Sequence, residues 1–169
     1  MSDPAREHKA HAPSRLRFAI VTMSDSRERA QDASGDAIAD LARAAGHEVA
    51  LRSLVRDEPW QIREAFEAAL REPGVDVVVG TGGTGVAPRD VTPETVRPLF
   101  ERALPGFGEL FRMLSWQEVG SAAMASRAEA GVANGRLVFL LPGSPKACRL
   151  AMERLILPEA GHLVALLRR

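Results

Sequence analysis

Short apolar runs alternate along the chain with longer segments in which apolar residues recur every three or four positions. The runs are typical of buried strands, and the longer segments are typical of amphipathic helices. The first half of the chain predicts strands at 17–23, 48–55 and 75–79, joined by helices at 35–46 and 59–72. This order of elements predicts a parallel sheet with helices on both faces.

The second half of the chain predicts mainly helices, with one antiparallel hairpin between them. Asn134 and Gly135 are the residue types of a type I′ turn, and they separate two apolar runs within 130–141. Helices are predicted at 93–104, 106–127, 144–156 and 159–169, the last two separated by Pro158. We therefore expect an α/β protein with three layers, α/β/α, and a mostly parallel sheet plus a C-terminal β-hairpin.

The amino-terminal residues differ in composition from the rest of the chain. Residues 1–14 are polar and contain two prolines, which predicts a flexible tail. A length of 169 residues is typical of one domain, and we expect that domain to cover 15–169.

Charge and cysteine content narrow the possible partners and the compartment. Lys plus Arg and Asp plus Glu balance at 22 each, with no block of like charge, so we expect neither nucleic acid nor a membrane surface as a partner. No apolar run reaches the length that spans a bilayer. The single cysteine, Cys148, excludes a disulfide within the chain and, together with the lack of a signal peptide, predicts a cytoplasmic protein.

The stretch Gly80–Gly85, GTGGTG, formally contains the glycine pattern of a dinucleotide-binding turn. It follows the third predicted strand instead of the first, Pro88 prevents a helix directly after it, and no acidic residue ends a strand about 20 residues later. The dinucleotide interpretation therefore fails, and the sequence has no Walker motif either. A loop that binds an anion through backbone amides and a tight turn without a ligand both remain open.

Each of the three predicted parallel strands, and the later strand at 136–141, ends in a polar stretch of small residues. The four stretches are 24–27 (SDSR), 56–58 (RDE), 80–90, and 142–146 (PGSPK). Because ligands bind at the carboxyl ends of strands in open α/β sheets, we expect these stretches to form one site for a phosphate-rich substrate.

Carboxylates in such a site need a cation between them and a phosphate, and Asp57 and Asp90 are the candidate Mg²⁺ ligands. Local alternatives remain open for each acidic residue. Asp57 could cap the helix at 59–72, Asp90 could be a turn residue ahead of a capping Thr92, and Asp25 could form an Asx turn. Ser144 could cap its helix, whereas a cation at a helix amino terminus is unfavourable, so a phosphate partner is expected for Lys146.

Several long motifs in order resemble one family over nearly the whole chain after the tail. They are TMSDSR (22–27), AGHEV (45–49), GTGGTG followed by PRDVTPE (80–94), LPGFGELFRMLS (104–115), SRAEAGVANGRLVF (126–139) and LPGSPKACR (141–149). These motifs resemble the MoaB/MogA family of molybdenum cofactor biosynthesis proteins, which includes the G domain of gephyrin. The stretches 106–121 and 142–149 resemble the MoaB branch more than the MogA branch.

The resemblance implies a molybdopterin-binding fold and an activity. Active members of the family transfer adenylate from ATP to molybdopterin with Mg²⁺ and release pyrophosphate, and a MoeA-type metal-insertion protein receives the product. Members form trimers, and MoaB-type members often form hexamers. The two functional aspartates of the family match Asp57 and Asp90, which the resemblance assigns as catalytic residues and metal ligands.

The same resemblance, with the strand-exit argument, assigns substrate contacts. These are Ser24, Asp25, Gly82, Gly83, Thr84, Gly85, Arg89, Thr92, Pro142, Gly143, Ser144 and Lys146. Some MoaB-branch members have lost the aspartates and are inactive, so a pterin-binding or scaffold paralogue is the alternative function. Segment 106–127 could contribute a subunit interface or ordinary core, through Phe107, Leu110, Phe111 and Leu114 with Met113 and Trp116 beside them.

Overall fold

A six-stranded mixed sheet joins the elements of the chain, in the spatial order β2-β1-β3-β6-β5-β4. The computed structural model describes residues 13–25 and 32–169. The strands are β1 Arg17–Met23, β2 Glu48–Val55, β3 Val77–Thr81, β4 Arg102–Ala103, β5 Glu129–Ala133 and β6 Arg136–Leu141. Strands β1, β2, β3 and β6 are parallel, whereas β5 runs antiparallel to both β4 and β6.

Helices cover both faces of this sheet. They are α1 Ala33–Ala44, α2 Pro59–Arg71, α3 Thr92–Val96, α4 Pro105–Val119, α5 Pro145–Ala151 and α6 Leu157–Leu167. Residues of α1, α4, α5 and α6 form one hydrophobic core against the sheet, which includes Ile38 and Phe111. Residues of α2 and α3 form a second core on the opposite face, around Phe66. The predicted three-layer architecture with a mostly parallel sheet and a C-terminal hairpin is confirmed.

The order of the strands creates the crevice that holds the site. From β1 the chain passes through α1 to β2 on one side, and from β2 it returns through α2 to β3 on the other side of β1. The connections therefore diverge between β1 and β3, and ligands of open α/β sheets bind at the carboxyl ends of the strands at such a point.

The hairpin turn has the geometry that its sequence predicts. Asn134 and Gly135 both have positive φ angles, of 48° and 67°, between the antiparallel strands β5 and β6. A type I′ turn requires this backbone conformation at both central positions.

Two predicted helices are wrong in extent. The helix predicted at 93–104 ends at Val96, continues as a 3₁₀ turn to Leu99, and gives way to the short edge strand β4. The amides of Glu101 and Leu104 donate to carbonyls of Val132 and Ala130, so pairing with β5 replaces the helix. The α-helix predicted at 106–127 ends at Val119, because Gly120 adopts a φ of 62°, and a 3₁₀ helix follows over Gly120–Ala125.

Pro158 does not separate two helices. A π-helical turn, Met152–Ile156, joins α5 to α6 without interruption. Because proline lacks an amide donor and crowds the preceding turn, a widened turn just before it accommodates the ring.

The expected division into a tail at 1–14 and a single domain at 15–169 stays a prediction, and residues 1–12 lie outside the described part of the chain. Among the described helices, none combines the length and the apolar character needed to cross a bilayer.

Candidate active site at the carboxyl edge of the sheet

A cavity of about 520 Å³ opens where four parallel strands end. Its lining comes from all four predicted strand exits: Met23, Ser24, Asp25, Asp57, Gly82, Gly83, Thr84, Gly85, Asp90, Pro142, Gly143 and Ser144. We call it the carboxylate cavity. Segments that are far apart in sequence thus meet at one edge of the sheet. Ser26 and Arg27 of the first exit lie outside the described residues.

Asp25 and Asp57 hold the first two strand exits together through reciprocal hydrogen bonds. The amide of Asp25 donates to Oδ2 of Asp57 at 3.1 Å, and the amide of Asp57 donates to Oδ1 of Asp25 at 3.2 Å. Glu58, and not Asp57, occupies the N-cap position of α2, so the capping alternative for Asp57 is wrong. An Asx turn at Asp25 would involve residues outside the described part.

The two carboxylates have opposite electrostatic environments. Arg89 donates to Oδ2 of Asp25 and lowers the pKa of that carboxyl below its usual value. Burial, followed by the negative charge of Asp25, raises the pKa of Asp57 above its usual value. Among the described residues, Oδ1 of Asp57 is buried and has no hydrogen-bond partner. An ionised Asp57 is therefore destabilising unless a cation accompanies it.

This arrangement fits a hard cation such as Mg²⁺. The orphaned oxygen of Asp57 and the carboxylate of Asp90 line the same cavity, and carboxylate oxygens are the ligands that Mg²⁺ prefers. Within residues 13–25 and 32–169 no group of three or more His, Cys, Asp or Glu residues is arranged to hold a metal ion. A cation here would use few protein carboxylates and complete its coordination with water or substrate oxygens.

The glycines bring the backbone of the loop against these carboxylates. Gly82 has a φ of 114°, and a Cβ there would lie 2.2 Å from the carbonyl oxygen of Met23. At Gly83 a Cβ would lie 2.3 Å from Oγ1 of Thr92 and 3.1 Å from Oδ1 of Asp57. Any larger residue would therefore push the loop away from Asp57.

Gly82 itself does not present its amide to the cavity. That amide donates to the carbonyl of Leu141 at 3.0 Å and extends the pairing of β3 with β6. An anion bound by loop amides would therefore use those of the following residues.

Thr92 fixes the glycine loop by hydrogen bonds to its backbone. Its side chain is fully buried, and Oγ1 donates to the carbonyl of Gly82 at 3.0 Å. Its amide donates to the carbonyl of Gly83, and the helix cap is Val91, so the capping alternative for Thr92 is wrong. The structure thus places Thr92 outside the cavity lining, as a positioning residue.

Asp90 has a structural bond as well as a place in the cavity. Its Oδ2 accepts the amide of Ala87 at 2.8 Å, so the turn alternative applies to it. Arg89, beside it, lies at the exposed rim and bridges Asp25 and Glu58, at 2.7 and 2.9 Å. It does not line the carboxylate cavity.

Lys146 faces a neighbouring cavity of about 300 Å³, in which its ammonium pairs with Glu118 at 3.2 Å. Thr84, Gly85, Pro142 and Ser144 line both cavities. Ser144 occupies the N-cap position of α5, as the capping alternative expected, but its hydroxyl makes no capping hydrogen bond.

Comparisons with known proteins show the family to which the chain belongs. Residues 19–162 match the family described as "Probable molybdopterin binding domain". The chain is 46% identical to molybdenum cofactor biosynthesis protein B of Bacillus cereus over 164 residues, which cover 96% of this chain and 97% of that protein. The chain belongs to the MoaB/MogA family.

Two solved structures show how fully the family fold is shared. A molybdenum cofactor biosynthesis protein B is 46% identical, with a TM-score of 0.90 over 94% of this chain and 99% of that chain. The tungsten cofactor synthesizing protein MoaB from Pyrococcus furiosus is 36% identical, with a TM-score of 0.84 over 94% and 100% of the two chains. Membership places the chain among proteins of molybdenum cofactor biosynthesis.

Arg127 is a residue of this MoaB/MogA-family site for which the sequence suggested no role. Its guanidinium donates to the carbonyls of Gly85 at 2.7 Å and Asp90 at 2.6 Å and pairs with Glu94, and its amide donates to the carbonyl of Thr84. Arg127 thus holds both ends of the segment that carries Asp90. The only sequence signal for it was its place in a family motif.

Side-chain hydrogen bonds to its carbonyl groups also hold the loop at 142–144. Oγ1 of Thr81 donates to the carbonyl of Pro142 at 2.8 Å, and Oγ of Ser34 donates to the carbonyl of Gly143 at 2.7 Å. The thiol of Cys148 is fully buried beside the same Pro142 carbonyl, at 3.3 Å. These residues shape the loop without lining the cavity.

Replacing Asp57 by Asn should stabilise the protein in the absence of divalent cations. The raised pKa means that ionised Asp57 lowers the free energy of unfolding at neutral pH, and a neutral side chain removes this cost. We expect the melting temperature to rise by about 2–4 °C for each kcal/mol gained in a chain of this size.

The pH dependence of the melting temperature tests whether the ionised carboxylate of Asp57 causes this difference in stability. As the pH falls below the raised pKa of Asp57, the wild-type carboxylate takes up a proton, so the difference in stability should shrink and should vanish below the ordinary carboxyl pKa. Asp40→Asn, on an exposed position of α1, is the control and should change little. A melting temperature for Asp57→Asn that is unchanged or lower at neutral pH would contradict this account of Asp57.

Replacing Arg127 by Lys should loosen the loop that carries Asp90. Lysine keeps the charge but cannot donate to Gly85, Asp90 and Glu94 together, and we expect a loss of about 1–3 kcal/mol. Hydrogen exchange of amides in 84–90 should become faster. Arg97→Lys is the matched control, because the exposed Arg97 donates two hydrogen bonds to a single oxygen, Oε2 of Glu129, away from this loop. Equal exchange in both variants would show that Arg127 does not hold the loop.

Proposed function

We propose that this protein is a molybdopterin adenylyltransferase that uses Mg²⁺ and ATP and releases pyrophosphate. The observation that carries the proposal is the orphaned, buried oxygen of Asp57 in a cavity that Asp90 also lines. Family membership supports a pterin substrate. The transfer of adenylate is proposed from the family resemblance and from the residues of the site.

The proposed reaction needs no nucleophile from the protein. A terminal phosphate oxygen of molybdopterin attacks the α-phosphorus of ATP and forms a new P–O bond. The bond from that phosphorus to the α,β-bridging oxygen breaks, and pyrophosphate leaves with the electron pair. Catalysis then depends on positioning and on neutralising charge at the phosphates.

The residues of the cavity divide these tasks. Asp57 and Asp90 would hold Mg²⁺, which neutralises phosphate charge when bound. The loop amides of Gly83–Gly85 would contact phosphate oxygens. Arg89 keeps Asp25 ionised and paired, so that this carboxylate orients the Asp57 backbone.

The acidity of the cavity argues for a cation between the protein and its substrates. Asp25, Asp57 and Asp90 all line it, and a triphosphate would be repelled by this surface if it came alone. A protein that only held a phosphorylated pterin would gain nothing from these carboxylates. The inactive paralogue, acting as a pterin-binding or scaffold protein, is therefore the weaker alternative.

We also propose self-association to a trimer or hexamer. In α4 Phe107 and Phe111 are buried, whereas Met113 and Trp116 are exposed, and Trp116 has 61% of its surface open to solvent. Leu110 is also exposed, so the predicted stripe divides between core and surface. Burying large apolar side chains against a second copy would remove them from water.

The remaining proposals concern the setting of the reaction. We propose a cytoplasmic protein that passes its product to a MoeA-type metal-insertion protein. Neither nucleic acid nor a membrane is part of this proposal, because the charges of the chain balance.

Asp57→Asn and Asp90→Asn should each lower pyrophosphate release by about 100-fold or more, because each removes a cation ligand. The assay combines the purified protein with molybdopterin, Mg²⁺ and labelled ATP. Asp40→Asn should retain full activity. Wild-type turnover in the Asp57 and Asp90 variants would contradict their proposed role as cation ligands. Pyrophosphate release in the absence of molybdopterin would contradict the proposal that molybdopterin is the substrate.

Trp116→Asp should reduce the number of subunits measured by light scattering, because it places a charge in the proposed contact. Trp60→Asp is the control, since Trp60 is similarly exposed, at 66%, but lies on α2 in the opposite layer. An unchanged molar mass for Trp116→Asp, or a lower molar mass only in the control, would show that the interface does not lie on α4.

A further inference from the structure

The cavity beside the carboxylate cavity has a different chemistry. Its walls are largely apolar, with Phe111, Val119, Ala123 and Leu150 among its lining residues. Its volume of about 300 Å³ lies at the lower end of small-molecule sites. We call it the α4–α5 cavity, because both helices line it.

Among the described residues that line the α4–α5 cavity, Glu118 and Lys146 carry the only charged side chains. They come from opposite walls and meet at 3.2 Å. Lys146 is largely exposed and Glu118 is one-third exposed, so the carboxylate remains within reach of a ligand. The function proposed above assigns no part to this pair.

We propose that Glu118, held by Lys146, recognises the pyrimidine edge of the pterin ring in the α4–α5 cavity. This inference rests on the proposed function and assigns the two substrates to separate places. The pterin ring lies against the apolar walls, and the phosphates lie in the carboxylate cavity.

Hydrogen-bond patterns decide which ring suits Glu118. A pterin presents two adjacent donors, the ring N3–H and the 2-amino group, which match the two acceptor oxygens of a carboxylate. The corresponding edge of adenine presents one donor beside one acceptor, so it leaves one carboxylate oxygen facing a lone pair. A carboxylate at this place therefore favours a pterin over the adenine of ATP.

The two cavities are adjacent and share lining residues. Thr84, Gly85 and Ser144 line both, so the phosphate of a pterin in one cavity would lie beside the glycine loop of the other. Lys146 would then orient Glu118 through their ion pair instead of contacting a phosphate directly. It is a positioning residue in this account.

Binding of a simple pterin tests the proposal without any turnover. The probes are 6-hydroxymethylpterin and 6-hydroxymethyllumazine, in which a carbonyl replaces the 2-amino group. Wild-type protein should bind the pterin about 10-fold or more tightly than the lumazine in fluorescence titrations, as expected for one lost charge-assisted hydrogen bond. Glu118→Gln should lower the pterin affinity by a similar factor and remove the preference.

Steady-state kinetics of the proposed reaction provide a second test. Glu118→Gln should raise the KM for molybdopterin about 10- to 100-fold with little change in kcat or in the KM for ATP. Lys146→Met should have a smaller effect in the same direction. Glu109→Gln, an exposed position on the same helix, is the matched control and should leave all values unchanged.

Several results would overturn the inference. These are an unchanged pterin preference in Glu118→Gln, a raised KM for ATP alone, or a change only in subunit number, which would mean that a second copy covers this face. Failure of the proposed function looks different: wild-type protein would bind the pterin through Glu118 and yet release no pyrophosphate.

Discussion

The half-buried carboxylate of Asp57, whose Oδ1 is fully buried, is the constraint on which the site depends. One oxygen accepts the amide of Asp25, and the other is buried and has no hydrogen-bond partner among residues 13–25 and 32–169. Burial and the charge of Asp25 both oppose its ionisation. An ionised Asp57 therefore lowers the stability of the folded protein, and a bound cation would compensate its negative charge. The carboxylate therefore indicates a cation more directly than the glycine loop indicates a phosphate.

The fold makes this arrangement possible because β1 and β3 are neighbours whose connections leave in opposite directions. The loops that follow the parallel strands can then approach each other without a helix between them. Side chains that do not line the carboxylate cavity hold these loops from behind. Thr92 and Arg127 fix the glycine loop, and Thr81 and Ser34 fix the loop after β6. The charged residues at the surface are thus placed by a rigid support.

Two adjacent cavities of unlike character lie at the carboxyl edge of the sheet. One is acidic and polar, whereas the other is apolar with a single ion pair among its described lining. A substrate that joins a flat heterocycle to a phosphate has the same two-part chemistry. The shared wall of Thr84, Gly85 and Ser144 is the place where the two parts would meet.

The sequence by itself determined the elements whose signal is local. Apolar runs predicted the strands, Asn134-Gly135 predicted the turn, and the parallel order predicted that Asp25, Asp57, Asp90 and the loop after β6 would share one edge. Tertiary structure decided the rest. Pairing with β5 replaced the end of the helix predicted at 93–104, because backbone bonds to a neighbouring strand outweigh local helical spacing. Partners far away in the sequence set the roles of Lys146 and Arg127. Arg127 lies 37 residues from the Asp90 carbonyl that it holds, and no local pattern encodes a contact at that separation.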